Sequence, residues 1–125
     1  MDECGRTPLH YVCIDNPKDK CRDIAEMLIL SGFDVNVQDN DGWTPLHFAA
    51  QERSAEVAKL LIENGADIET KEINGNTPLW VAVMNSSQDT QVVGILVAAG
   101  ANPDIKNNHG ISPREIEPEL FNNET

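Results

Sequence analysis

The fold class predicted by this sequence is an all-α solenoid: three full helix-turn-helix-hairpin units followed by a truncated C-terminal cap. Three observations predict it. The phrase Thr-Pro-Leu-His occurs at 7–10 and 44–47, returns as Thr77-Pro78-Leu79-Trp80, and decays to Ser112-Pro113-Arg114-Glu115. Each copy follows a glycine by one residue, and those glycines, Gly5, Gly42, Gly75 and Gly110, are spaced by 37, 33 and 35 residues. A near-constant period in this range marks a stacked array. Downstream of each full copy an apolar stripe recurs at i, i+3, i+4 spacing: Ile24/Met27/Leu28, Val57/Leu60/Leu61 and Val92/Ile95/Leu96.

The units divide at about 2–38, 39–71, 72–106 and 107–125. In the first, Leu9, Tyr11 and Val12 begin almost at once, with no preceding unit to cover them. The second is the cleanest. Thr44 is a good N-cap, and Pro45 suits the first helical position because its φ is preset and its missing N–H would be unpaired there anyway. That helix ends near Gln51, and the polar stretch Gln51-Glu52-Arg53-Ser54 turns the chain into the second helix. Gly65 stops the second helix where a left-handed residue is needed, as Gly32 and Gly100 do in the flanking units. Asp39-Asn40-Asp41-Gly42 and Asn74-Gly75 then favour tight turns. Relative to the second unit, the first carries four extra residues and the third two, at Ile14–Cys21 and Asn85–Asp89, which are expected to form loops protruding opposite the hairpins. In the last unit Pro118 forbids a regular second helix, and Arg114, Glu115, Glu117 and Glu119 suit a polar end that stops further stacking.

This unit resembles the ankyrin repeat, through Gly-x-Thr-Pro-Leu-His at 42–47, Ala49-Ala50 and Leu60-Leu61-x-x-x-Gly65-Ala66-Asp67, over nearly the whole chain. The resemblance implies that His10 and His47 are structural, bonding locally and linking neighbouring repeats. It also implies a concave recognition surface made of hairpin tips and inner helices. The positions it selects are Glu3, Cys4 and Arg6; Asn40, Asp41 and Trp43; Ile73, Asn74 and Asn76; and Asn108, His109 and Ile111, extended by Gln51, Glu52, Met84 and Asn85. Trp43 is expected to face solvent as an aromatic anchor. Trp80, standing where the other units have histidine, is expected to pack between repeats.

Composition restricts the function. A net charge of −12 argues against nucleic acid, whose phosphates are bound by clustered Lys and Arg, and points to a basic protein partner. No apolar run approaches a membrane span, and Met1-Asp2-Glu3 leads straight into the first repeat without a signal region, so the expectation is a cytoplasmic chain, monomeric on its own. Three cysteines, Cys4, Cys13 and Cys21, then read as reduced thiols, and the sequons at Asn85 and Asn123 as without consequence.

No cofactor, metal or catalytic residue is expected. Asp39-Asn40-Asp41-Gly42 fails as a calcium loop, because an EF-hand would need an acidic residue at Val37 and a Glu at Phe48. Cys4, His10, Cys13 and Cys21 lack the short Cys-x-x-Cys spacing of a zinc site. Cys13 lies three residues after His10, but on a packed face of an acidic chain, which does not activate a thiol. The expected function is therefore a non-catalytic protein-binding module. The stretches 77–83 and 107–113 resemble small bacterial ankyrin proteins, which extends the expectation to an inhibitor or immunity protein of a toxin or hydrolase. The alternative is a scaffold or regulatory subunit.

Overall fold

Every Thr-Pro or Ser-Pro of the repeat starts a helix. The computed structural model describes residues 2–87 and 89–121. Among the described residues seven α-helices follow in order: α1 Pro8–Asp15, α2 Lys18–Leu30, α3 Pro45–Gln51, α4 Ala55–Glu63, α5 Pro78–Met84, α6 Gln91–Ala98 and α7 Pro113–Ile116, with a 3₁₀ turn over Pro118–Phe121. No strand occurs among the described residues. Thr7, Thr44, Thr77 and Ser112 are the N-caps of α1, α3, α5 and α7, each in an extended conformation. α1, α3, α5 and α7 pack successively as an inner row, while α2, α4 and α6 form an outer row against it.

The core runs continuously between these rows. Leu9, Leu46 and Leu79, the leucines of the repeated phrase, are all fully buried, and so are Val57, Leu61 and Leu96 of the outer stripes. Leu9 and Val12 therefore need no preceding unit to cover them. What the first unit leaves open is a face lined by Tyr11, Ile24 and Leu28, while Met27 and Leu30 of α2 are exposed.

The extra residues of the first unit do not protrude. They lengthen the helices: α2 has 13 residues against 9 in α4, and only Asn16 and Pro17 connect it to α1. Lys18-Asp19-Lys20 are compatible with helix, and Pro17 stands just before the first turn, where its missing N–H has no cost. In the third unit the extra residues do lengthen the connection, which spans 85–90 between α5 and α6. The sequon at Asn123 lies outside the described residues; that at Asn85 has its side-chain amide donating to the Val81 carbonyl at 2.9 Å.

Successive hairpins touch through their backbones. Asn40 N donates to Cys4 O at 2.8 Å, Ile73 N to Asp41 O at 2.7 Å, and Asn108 N to Asn74 O at 2.9 Å. This close approach, together with a positive φ, is why glycine recurs at the turns. A Cβ on Gly75 (φ 79°) would sit 2.8 Å from Asn108 N, whereas one on Gly110 (φ 76°), at the end of the array, would meet nothing within 4 Å. Gly75→Ala should therefore lower stability by about 2 kcal/mol more than Gly110→Ala, since both incur the left-handed strain but only one the clash. Chemical denaturation of the two variants checks this; equal losses would mean that hairpin contact does not set the glycine requirement.

Candidate functional site

The inner helices are held in register by two histidines acting identically. His10 Nδ1 accepts the Thr7 backbone N–H at 2.9 Å, and its Nε2 lies 2.9 Å from the Trp43 carbonyl of the next unit. His47 repeats this one unit on, with Nδ1 accepting from Thr44 N at 3.2 Å and Nε2 lying 2.9 Å from Asn76 O. An acceptor at Nδ1 and a carbonyl at Nε2 select the neutral tautomer protonated at Nε2. Burial lowers the pKa of both rings below the ordinary histidine value. This is the linking role that the resemblance implies.

The hairpin turns have their own recurring device. Asp2, Asp39, Glu72 and Asn107 each stand three residues before a turn glycine, and each offers one side-chain oxygen to two backbone N–H groups of its turn. The second side-chain atom is satisfied differently each time. Tyr11 OH donates to Asp2 Oδ2; Arg6 Nε meets Asp39 Oδ2 at 3.0 Å; Asn107 Nδ2 donates to Asn76 Oδ1 at 2.9 Å. Glu72 Oε2 alone has no partner, although the residue is only 4% exposed. These four positions are missed by reasoning from the Thr-Pro phrase, yet their regular offset from glycine is visible in the sequence.

That device reassigns some of the expected recognition residues. Asn76 is 7% exposed and tied to Asn107, so it is a structural residue rather than part of a surface strip. Arg6 is committed to Asp39, with its guanidinium 4.9 Å from the Phe48 ring centroid. Trp43 does not stand free in solvent. It is half-buried, its ring centroid 5.4 Å from His47 and 5.2 Å from Phe48, because α3, the helix that it directly precedes, offers an aromatic surface beneath it. Asn40 and Asn108 remain exposed while their side-chain amides donate to Glu3 O and Ile73 O across the hairpins.

The other positions form an accessible strip. Glu3, Cys4, Asp41, Ile73, Asn74, His109 and Ile111 are exposed along the tips, and Met84 at the end of α5; Gln51, Glu52 and Asn85 are half-buried at the inner-helix ends. Gln51 donates to Glu52 at 3.1 Å. The strip is not uniform. Carboxylates occupy its first half, at Glu3, Asp41 and Glu52, whereas Ile73, Met84 and Ile111, three of the exposed large apolar side chains, lie in its second half.

Trp80 sits at that second half. It packs against the core as expected, but it remains half-buried, and its Nε1–H is enclosed without a hydrogen-bond partner. The third interface thus lacks the imidazole link of the first two, and an unpaired buried donor costs about 1–3 kcal/mol.

Among the described residues no group of three or more His, Cys, Asp or Glu could hold a metal. Cys4, Cys13 and Cys21 are free, and burial pushes the Cys13 thiol up to about 12 and raises Cys21 as well, which disfavours the thiolate. No helix among the described residues is long and apolar enough to cross a membrane.

The family described as ankyrin repeats (3 copies) matches residues 1–72 and 18–107, so the chain belongs to the ankyrin repeat family. It is 48% identical over 52 residues to SMC5-SMC6 complex localization factor protein 1 of Mus musculus, covering 42% of this chain and 5% of that protein. The human protein of the same name is 51% identical over 45 residues, covering 36% of this chain and 4% of its own length. Protein phosphatase 1 regulatory subunit 12A of Mus musculus is 44% identical over 46 residues, covering 37% of this chain and 4% of its own.

The depressed histidines give a signed pH dependence. The unfolded chain protonates these rings near the ordinary value of 6.5, the folded chain only at lower pH, so the unfolded state binds more protons in between. The stability advantage of the parent over His47→Gln should be full above pH 6.5 and shrink as pH falls toward the folded pKa. Denaturation of both proteins from pH 7.5 to 5.5 measures it. An advantage that grows on acidification would contradict the neutral link.

Proposed function

We propose that this ankyrin-repeat chain is a non-catalytic binding module that seats a basic protein partner on its concave face of hairpin tips and inner helices. Ankyrin repeats mediate protein–protein interaction, which supports the module. The observation that carries the basic partner is the placement of Glu3, Asp41 and Glu52 along one accessible strip of a chain with a net charge of −12. Such a field steers an oppositely charged surface and raises its association rate. The same net charge makes copies of the chain repel one another, favouring a monomer, and three free thiols fit the reducing cytoplasm.

Whether binding recruits or inhibits is a finer question, and the relatives favour recruitment. Two of them are named for localization of a complex and one as the regulatory subunit of a phosphatase. A scaffold or regulatory role is therefore our reading, with the inhibitor or immunity role as the alternative.

The test is charge reversal. Proteins retained from the native cell by the immobilised chain at low salt should associate about tenfold more slowly with Asp41→Lys/Glu52→Lys, and the gap should close as salt shortens the Debye length. Asp41 is exposed, and Glu52, half-buried, accepts a side-chain bond only from its neighbour Gln51, so the melt should change little. Stopped-flow rates across a salt series decide; an association rate indifferent to salt removes the electrostatic reading. A partner that keeps full activity in the complex supports recruitment, and one that loses it stoichiometrically supports inhibition.

A further inference from the structure

The third interface breaks the local rule that the first two obey. Where His10 and His47 link one repeat to the next, Trp80 makes no such link and leaves its indole N–H enclosed and unpaired. Departures from a consistent local rule concentrate at functional sites. Trp80 helps to line a cradle of about 460 Å³ together with Met84, Ile111 and Ile116, and with His109 and Asn74 at the hairpins. That volume is in the range of pockets that bury a guest group. Two of the walls are conspicuously wet for apolar side chains, Met84 at 54% and Ile111 at 40% exposed, and Ile73 beside Asn74 is 61% exposed.

Carboxylates of the second unit stand beside it. Gln51 and Glu52 at the end of α3 stand one repeat before Met84 and Asn85 at the end of α5, and Asp41 stands one hairpin before Asn74. Packed helices are about 8–10 Å apart, the reach of about three residues of extended chain. An apolar group in the cradle would thus have carboxylates within three residues on one side. This matches a basic partner by charge, and it gives the wet apolar walls an occupant.

Resting on the binding reading above, we propose that the cradle bounded by Trp80, Met84, Ile111 and Ile116 anchors one bulky apolar side chain of the partner, flanked about three residues away by cationic residues over Asp41 and Glu52. The histidine-to-tryptophan exchange supplies the wall of that cradle in place of an inter-repeat bond. Binding specificity then resides at the third interface, and electrostatic steering in the first half of the strip.

The experiment is an NMR titration of the isotope-labelled full chain with two capped peptides, Lys-Lys-Gly-Gly-Phe-Gly-Gly-Lys-Lys and its Phe→Ala counterpart, at up to millimolar concentration. With only Trp43 and Trp80 in the chain, the two indole N–H signals are separable reporters. The Phe peptide should shift the Trp80 indole and the Met84 methyl saturably and bind about tenfold more tightly than the Ala peptide, as burial of an aromatic side chain allows. Trp80→His should remove that tenfold difference. Ile111→Ser, at a partly exposed position, should do the same should the first variant not fold. If both peptides shift Asp41 and Glu52 alike and neither moves Trp80, the cradle proposal fails while the acidic strip stands. Shifts confined to Tyr11, Ile24 and Leu28, on the open face of the first unit, also overturn it. If neither peptide perturbs any residue of the concave strip, the basic-partner reading fails with it.

Discussion

One hydrogen-bonded imidazole sets the geometry of this array. To bond its own N-cap backbone and the carbonyl of the next unit simultaneously, the ring must be neutral, buried and fixed in one tautomer. Those requirements propagate. The threonine must be an N-cap so that its N–H points at Nδ1, and the proline fits the first helical turn because no donor is lost there. The adjacent leucine of the phrase is carried into the core by the same helix turn. The carbonyl that receives Nε2 belongs to the residue closing the next hairpin, so the link also fixes how far one unit sits from the next. With the repeat distance set, hairpin backbones come close enough to bond, and at Gly75 only a residue without a Cβ avoids a clash.

Seen from that constraint, the third interface is an exchange rather than a defect. Trp80 gives up the link and leaves an unpaired donor, while Asn76 and Asn107 join their side chains across the same pair of hairpins, holding the units together by another route. The cap beyond is minimal, a four-residue α-helix and a 3₁₀ turn, closed by Phe121 in the core and by Arg114 bonded to Asp104 at 2.7 Å. A second uncompensated group, Glu72 Oε2, lies one unit before this cap. Its counterpart Asp39 is neutralised by Arg6, but Trp43 stands where a second arginine would be needed. Of the three buried polar side-chain atoms without a partner among the described residues, Glu69 Oε1, Glu72 Oε2 and Trp80 Nε1, two belong to the third unit, beside the exposed Ile73 and Met84.

Much of the fold was legible because local chemistry decides it. Thr-Pro can hardly avoid starting a helix, and a glycine after an apolar stripe stops one. Burial at the tips was less legible. Spacing places Trp43, Asn76 and Arg6 on the hairpins, but it does not say that Phe48 gives Trp43 a ring to lie on, or that Asn76 turns inward to meet Asn107. Nor does spacing say that Arg6 pairs with Asp39 beneath it, or that Asp39 and Glu72 are both buried. The four extra residues of the first unit were misread for a related reason. An insertion between two helices is a loop only if it cannot extend one of them, and Lys18-Asp19-Lys20 extend α2.

Imidazole links order the first two interfaces, and the third, which lacks one, is the end where we propose that recognition takes place. Native-state hydrogen exchange of the unmodified chain measures this directly, because each buried helix reports its own opening free energy. Amides of α3 and α4 should open only near the global unfolding free energy, while those of α5, α6 and α7 should open at distinctly lower values. Uniform protection across the array, or a third interface more protected than the second, would contradict it.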